Sequence, residues 1–258
     1  MRPWITASIL FFAYVAVVAP LVRGLAARRR ALAVAGAGAG LLISVAAQWQ
    51  SHEPLLHEWL VPPALLLIGY WSSGQLFAAP MPRAERALER VDERLAIDRI
   101  AAATPRTAVE LLEIAYAGVY PLIPVALVVH LLGTDAPSAE RFWTVVLVTD
   151  YVCFGFLPWV QTRPPRARRA GDPWRSRVRR FNVGMLGRTS IQVNTFPSGH
   201  AAEALAAALL VIGAPWPWAA AVTINAVLIS AGAVLGRYHY AADALAGWAV
   251  ALCVWAIL

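Results

Sequence analysis

The chain has 258 residues, of which 59% are hydrophobic and 14% are charged, and its mean hydropathy is +0.59. This balance excludes an ordinary soluble domain and indicates an integral membrane protein. The net charge is +7 and every one of the 22 basic residues is Arg, so any phosphate bound here by a basic side chain is bound by guanidinium.

Apolar stretches recur along the whole chain, each long enough at ~1.5 Å per residue to cross a hydrocarbon layer ~30 Å thick. We therefore predict an all-α integral membrane fold with about eight transmembrane helices. The predicted spans are 5–22, 31–49, 60–79, 107–132, 141–161, 197–214, 216–235 and 239–257. In the second span, Gly36 and Gly40 are four residues apart, which predicts close packing between membrane helices.

The segment 83–100 is charged but amphipathic. A helix places Leu88, Val91 and Leu95 on one face and a row of arginines on another. We predict a helix lying at the membrane surface. The alternative is a solvated, charged linker.

The arginines are divided unevenly between the two sides of the membrane. If the spans alternate in direction, 20 of the 22 fall on one side, and the other side keeps Arg2 and Arg141. The positive-inside rule then places the Arg-rich side in the cytoplasm of a multi-pass cell-membrane protein. Nine of these arginines lie in 163–188 beside one acid, Asp172. Because this segment lies between two spans, it favours contact with membrane lipids and excludes nucleic acid as the expected partner.

Three polar segments meet on this Arg-rich side. They are Arg163-Pro164-Pro165-Arg166, Pro197-Ser198-Gly199-His200 and the run from Arg237 to Asp243, which contains His239. Guanidinium groups bind anionic oxygens, and a helix N-terminus also favours anions. We therefore predict phosphate binding by Arg163, Arg166, Ser198, Gly199 and Arg237.

Catalysis is assigned to two histidines and one aspartate. His239 and Asp243 are four residues apart and share a helical face, so the carboxylate can accept the Nδ1 proton and leave Nε2 free to attack phosphorus. His200 is then placed to protonate the leaving alkoxide.

These motifs resemble those of the type 2 phosphatidic acid phosphatase superfamily, over about residues 85–257. The resemblance implies a phosphohistidine at His239, oriented by Asp243, with His200 as the acid, and it implies neither a metal nor a cofactor. It also implies a six-span core over 59–258, preceded by a two-span extension over 1–58. The implied function is that of a metal-independent lipid phosphate phosphatase.

Two departures from the family pattern leave alternatives open. Phe156 stands where the family usually has Lys, and Ala233 stands where it usually has Arg. Arg166 and Arg237 are the expected substitutes. The Arg-Pro-Pro-Arg and His-Tyr-x-x-Asp forms resemble the inositol phosphorylceramide synthase branch, which implies a phosphotransferase that uses an alcohol in place of water. A non-catalytic lipid-binding or transport protein is the alternative of another class.

Other polar residues receive lesser roles. Glu203 and Glu113 are candidates for orienting the arginines or an acceptor hydroxyl, with ordinary charge pairing as the alternative. Asp150 lies within a predicted span, where an ionisable group is costly, and we predict a buried polar contact between helices. Three further histidines belong to none of these motifs and are interpreted as interfacial or packing residues: His52, His57 and His130. The family habit favours an active face outside the cytoplasm, against the arginine bias. The oligomeric state does not follow from the sequence.

Overall fold

The computed structural model describes residues 2–49 and 53–258. In these two ranges the chain forms helices and no β-strand, which confirms the predicted all-α membrane fold. The α-helices are α1 Pro3–Leu21, α2 Ala27–Trp49, α3 Val61–Gly74, α4 Pro82–Arg94, α5 Ile97–Ala103, α6 Arg106–Ala117, α7 Val119–Gly133, α8 Ala139–Gly155, α9 Arg177–Thr189, α10 Gly199–Leu210, α11 Trp216–Leu235 and α12 Ala241–Ile257.

Not all of these helices are long enough to cross a membrane alone. Within the described residues, α1, α2 and α11 pass by length and composition, and the α6–α7 pair makes a fourth candidate if it is counted as one span. The helices α10 and α12 are apolar but shorter. The count of eight crossings therefore stays a prediction.

The predicted span 107–132 is two helices in the structure. α6 and α7 meet at Gly118 and their axes differ by 66°. Pro121 lies in the first turn of α7 and has no N–H to continue the hydrogen-bond ladder of α6. The bend turns α6, with its acidic residues, toward α9 and α11.

The first two helices pack on the rest of the bundle. α1 contacts α2, α3 and α8, and its Phe11 stacks on Tyr151 of α8 with ring centroids 4.2 Å apart. A Cβ on Gly40 would lie 2.5 Å from the Phe12 ring, and one on Gly36 would lie 2.1 Å from Ser72 Oγ. These glycines therefore permit the close helix packing that was predicted for them.

The predicted surface helix 83–100 is broken. α4 ends at Arg94 and α5 begins at Ile97, because Ala96 between them has a left-handed backbone with φ 54°. Leu88 is buried as expected, whereas Leu95 is 46% exposed. α4 packs on α12, which brings it beside the predicted catalytic segment.

Helix α10 is at the centre of the bundle, where it contacts α7, α8, α11 and α12. Its alanine-rich sequence lets the neighbouring helices approach closely. The closest approach is at Gly247 of α12, where a Cβ would lie 2.5 Å from the carbonyl oxygen of Ser198. The start of α10 is therefore fixed against α12.

The histidines interpreted as packing residues are buried where the structure describes them. His130 is 2% exposed, its Nδ1 lies 2.7 Å from Leu210 O, and its Nε2 accepts a hydrogen bond from Ser138 N at 3.2 Å. His57 is also 2% exposed and lies near Trp4, with ring centroids 5.9 Å apart. His52 lies outside the described residues.

Candidate active site

Backbone hydrogen bonds tie the three polar segments together. Arg166 N donates to Arg237 O at 2.9 Å, which joins the first segment to the third. Ser198 N donates to Asp243 O at 2.9 Å, which joins the second segment to the third. The structure therefore brings together three segments that are far apart in sequence.

His239 and Asp243 are paired at the N-terminus of α12, but the prediction that they share a helical face is wrong, because α12 begins at Ala241 and His239 lies in the turn before it. His239 Nδ1 lies 3.6 Å from Asp243 Oδ2, and neither Nδ1 nor Asp243 Oδ1 has a hydrogen-bond partner among the described residues. Asp243 Oδ2 also accepts from Asn194 Nδ2 at 2.9 Å and from Tyr240 N at 2.8 Å. These bonds fix the buried carboxylate beside the ring. A movement of about half an ångström makes the contact a hydrogen bond, and such contacts are commonly longer before substrate binds.

His200 lies in the first turn of α10 and faces His239. The two ring centroids are 5.9 Å apart. On its other side, the His200 ring stacks near Tyr116 with a centroid distance of 5.8 Å. The two imidazoles are therefore close neighbours at this site although they are 39 residues apart in sequence.

Ser198 and Gly199 use their polar groups within the fold. Ser198 Oγ caps α10 by accepting from Ala201 N at 3.4 Å, and the Ser198 side chain is fully buried. Gly199 N donates to Thr195 Oγ1 at 3.5 Å. Both predicted phosphate ligands lie at the site, and their observed contacts position His200.

The predicted phosphate-binding arginines differ in their partners. Arg163 donates to Glu85 from its backbone N and from Nε and Nη2, each at 3.0 Å. Arg237 binds Asp98, with Nη2 3.0 Å from Oδ1. Arg166 has no carboxylate partner within residues 2–49 and 53–258.

Arg166 also lies near the two histidines of the site. Its positive charge acts on both His200 and His239. Its guanidinium carbon lies 5.6 Å from the centroid of the Tyr238 ring, within the range of a cation–π contact. It is therefore the arginine that is free to bind an anion next to the two imidazoles.

Glu113 is the centre of a buried hydrogen-bond network behind Tyr238. It is 1% exposed and accepts from Tyr238 Oη at 2.7 Å, Arg179 Nη1 at 3.2 Å and Trp174 Nε1 at 2.7 Å. Tyr238 in turn stacks on Tyr116 with centroids 4.0 Å apart. Glu113 therefore positions the Tyr238 ring, which in turn contacts Arg166.

The acidic row of α4 is a functional feature that the sequence interpretation missed. Glu85 and Glu89 bind Arg168, and Asp92 binds Arg169 Nη2 at 2.9 Å. Asp92 Oδ1 also accepts from the backbone N of Ala241, the first residue of α12, at 2.9 Å. The three acids are spaced i, i+4, i+7 and so share one helical face, which is the sequence signal for this row.

Burial and ion pairing act in opposite directions on the pKa values of the α4 acids, and the balance differs between Glu85 and Asp92. Burial alone would raise the pKa of Glu85, but hydrogen bonds from Arg163 and the charge of Arg168 outweigh it and hold that pKa below its usual range. For Asp92 burial dominates and raises the pKa, despite the bond from Ala241 N and the charge of Arg169.

The family comparison agrees with this geometry. The family model described as PAP2 superfamily matches residues 83–257, more than half of the chain. The chain belongs to the PAP2 superfamily. No curated protein and no solved structure is detectably similar to it. Members of the PAP2 superfamily are generally phosphatases or related enzymes, and this membership indicates phosphatase or phosphotransferase chemistry.

The two departures from the PAP2 pattern have clear structural settings. Phe156 follows the last turn of α8 and is 45% exposed. Ala233 is fully buried in a small cluster with Tyr116, Leu186 and Tyr238, and its carbonyl oxygen accepts from the backbone N of His239 at 2.9 Å. These aromatic rings fill the space beside Ala233, so a guanidinium there would displace them.

A cavity of about 580 Å³ in this PAP2 protein adjoins His200. Its wall is largely apolar and is formed by α3, α7, α8 and α10. Phe154 and Trp143 both line it, and they are eleven residues apart on α8, which is ~16 Å along a helix. The cavity therefore extends through about half of a hydrocarbon layer ~30 Å thick.

Two carboxyl groups interrupt this apolar wall. They belong to Asp150 of α8 and Glu203 of α10. Asp150 was predicted to make a buried polar contact between helices; it is buried, but neither of its carboxyl oxygens has a hydrogen-bond partner in the described residues. In the described part of the chain, no group of three or more His, Cys, Asp or Glu residues is arranged to hold a metal ion.

Proposed function

We propose that the protein is a lipid phosphate phosphatase that acts through a phosphohistidine. The observation that supports this most directly is the facing pair of imidazoles, 5.9 Å apart, with Asp243 behind one ring and an apolar cavity beside the other. The cavity favours a substrate with hydrocarbon tails, because apolar walls gain free energy by burying apolar groups.

In the first step, Nε2 of His239 attacks phosphorus and forms a P–N bond while the P–O bond to the lipid alkoxide breaks. His200 gives its proton to the alkoxide oxygen. Asp243 holds the Nδ1 proton of His239 and stabilises the positive charge that develops on the ring. Arg166 binds the equatorial phosphoryl oxygens as their negative charge is redistributed.

In the second step, water attacks the phosphohistidine. The neutral His200 takes a proton from that water, the P–N bond breaks, and inorganic phosphate and free His239 are released. An alcohol in place of water gives a phosphotransferase, so the two reactions share one intermediate. The Arg-Pro-Pro-Arg and His-Tyr-x-x-Asp forms favour this second candidate.

The test is phosphate release from lipid phosphates in mixed micelles, with and without an alcohol acceptor. His239→Ala is expected to abolish turnover and to remove the acid-labile phosphoenzyme that labelled substrate forms in the unaltered protein. Full activity of this variant would overturn the mechanism. Binding without phosphate release by the unaltered protein would support a lipid-binding or transport protein instead.

The acid role of His200 has a separate test. Removing a general acid costs ~10²–10⁴-fold in rate, but an aryl phosphate has a leaving group that needs little protonation. His200→Ala is therefore expected to lose far more phosphoenzyme formation with a lipid phosphate than with an aryl phosphate. An equal loss with both substrates would contradict the acid role.

We also propose that the active face of the membrane protein is cytoplasmic, as the arginine distribution favours. Arg175 is exposed in the loop before α9, so Arg175→Cys places a thiol on this face. Labelling by a membrane-impermeant maleimide is expected only after the cells are opened. Labelling of intact cells would place the face outside.

A further inference from the structure

The two carboxyl groups in the cavity wall have no role in the phosphoryl-transfer steps above. Asp150 is 1% exposed, and neither of its carboxyl oxygens has a hydrogen-bond partner in the described structure. A buried polar group without a partner is costly, and an ionisable one in a membrane helix is more so. A carboxyl group kept in this position is therefore expected to meet its partner in a bound ligand.

The position of Asp150 relative to the catalytic residues is well defined. Its Oδ1 lies 3.3 Å from the point where a Cβ on Gly199 would be, directly beside the residue that precedes His200. Glu203 is on the next turn of the same helix and lines the same cavity. The two carboxyl groups therefore line the cavity close to the turn of α10 that carries His200.

A lipid phosphate bound as proposed would extend from the two histidines into the cavity. Its phosphate would lie between His200 and His239, its tails would occupy the apolar cavity, and the carbons next to the phosphoester would pass Asp150 and Glu203. A carboxyl group has an oxygen that accepts hydrogen bonds in either protonation state, so a donor on the ligand matches both Asp150 and Glu203. A fully acylated glycerol backbone has no such donor at this level.

We propose that Asp150 and Glu203 form a specificity subsite for a hydrogen-bond donor, a hydroxyl or amino group, on the lipid backbone next to the phosphoester. The inference rests on the proposed function and adds a substrate class to it: lipid phosphates with a free backbone hydroxyl or amine. Such a donor gives Asp150 the hydrogen-bond partner that the described residues do not provide.

The decisive measurement is kcat/KM for two matched lipids, 1-acyl-glycerol 3-phosphate and its 2-O-methyl ether. The unaltered protein is expected to favour the free hydroxyl by about tenfold to a hundredfold, the range for a buried hydrogen bond to an acidic group. A sphingoid-base phosphate compared with its N,N,N-trimethyl form, which keeps the positive charge but has no N–H, tests the amino group in the same way.

Asp150→Leu and Glu203→Met replace the carboxyl groups with apolar side chains of similar size. They are expected to bring the ratio between the matched lipids close to one by lowering turnover of the hydroxyl lipid, with the ether unaffected. Asp150→Asn keeps one acceptor and is expected to give an intermediate ratio. Thr149→Val is the control, because it removes a buried, unpartnered oxygen next to Asp150 that does not line the cavity.

The results separate this inference from the proposed function. Turnover of both lipids without preference, or an equal loss on both in the Asp150 and Glu203 variants, overturns the subsite and leaves the phosphatase intact. If no lipid phosphate is turned over, the proposed function fails, and binding of the matched non-hydrolysable phosphonates decides the subsite. Tighter binding of the hydroxyl phosphonate, lost in Asp150→Leu, supports it, and equal Kd values refute it.

Discussion

Replacing Arg166 should remove most of the phosphate-binding energy without unfolding the protein. Its guanidinium has no carboxylate partner in the described residues, and its charge acts on both catalytic histidines. A guanidinium that donates two charge-assisted hydrogen bonds to a phosphoryl group contributes about 3 kcal/mol or more to its binding free energy. At ~1.36 kcal/mol per factor of ten, Arg166→Gln is expected to lower kcat/KM by roughly a hundredfold.

Arg166→Lys refines this expectation. It keeps the charge but loses the planar fork, so we expect a loss of about tenfold, between the unaltered protein and Arg166→Gln. The measurement is the initial rate of phosphate release from 1-acyl-glycerol 3-phosphate over a range of surface concentrations in mixed micelles. Thermal unfolding of the same preparations is followed by intrinsic tryptophan fluorescence.

Arg163→Gln is the matched comparison. Arg163 and Arg166 flank the same two prolines, but Arg163 is bound to the buried carboxylate of Glu85. Its replacement is therefore expected to lower the melting temperature more than it lowers kcat/KM, whereas Arg166→Gln does the reverse. The reasoning is refuted if Arg166→Gln is as active as the unaltered protein, or if the two variants show the same pattern.

Variants at three further positions test the scaffold of the site. Arg237 has a left-handed backbone with φ 60°. Arg237→Gly should therefore keep the turn and retain more activity than Arg237→Ala, in which the same backbone costs about 1 kcal/mol of strain. Equal phosphate release by both variants would contradict a backbone role. Because the pKa of Glu85 is lowered in the folded state, its stabilising contribution is present above pH ~4.5 and is lost as the pH falls through the folded value. In thermal unfolding scans at falling pH, Glu85→Gln should lose less stability than the unaltered protein. An equal loss in both would exclude the pairing of Glu85 with Arg163 as the cause. Gly247→Ala places a Cβ 2.5 Å from Ser198 O, and overpacking of this kind costs ~1–3 kcal/mol. A lower melting temperature and slower turnover are therefore expected. An unchanged melting temperature and rate would mean that α10 and α12 tolerate separation.

Much of the site could be predicted from local sequence. The His239-x-x-x-Asp243 spacing predicted the pair but not its geometry, because His239 lies in the turn before α12, and Ser198 is a typical N-cap at the start of an apolar run. The capping pattern is short, so it specifies its own geometry. The structure places these residues beside His200 as the order of the spans had indicated.

What could not be predicted depends on contacts between distant segments. Nothing in the spacing of Arg163 and Arg166 shows that the first meets Glu85 and the second does not, because that choice is made when α4 packs against the loop. The bend at Gly118 and the left-handed Ala96 likewise divide two continuous-looking helices. Periodicity predicts which residues share a face but not which face a neighbouring helix covers.

The position of α4 has a consequence for how the protein is made. Its Asp92 binds the backbone N of Ala241, 149 residues later in the chain, and its Glu85 binds the loop that begins at Arg163, 78 residues later. During synthesis these acids emerge long before their partners, and the bond from Ala241 to Asp92 waits for the start of α12. A chain that stops short of α12 therefore lacks both Asp243, the partner of His239, and the backbone bond that fixes α12 to α4.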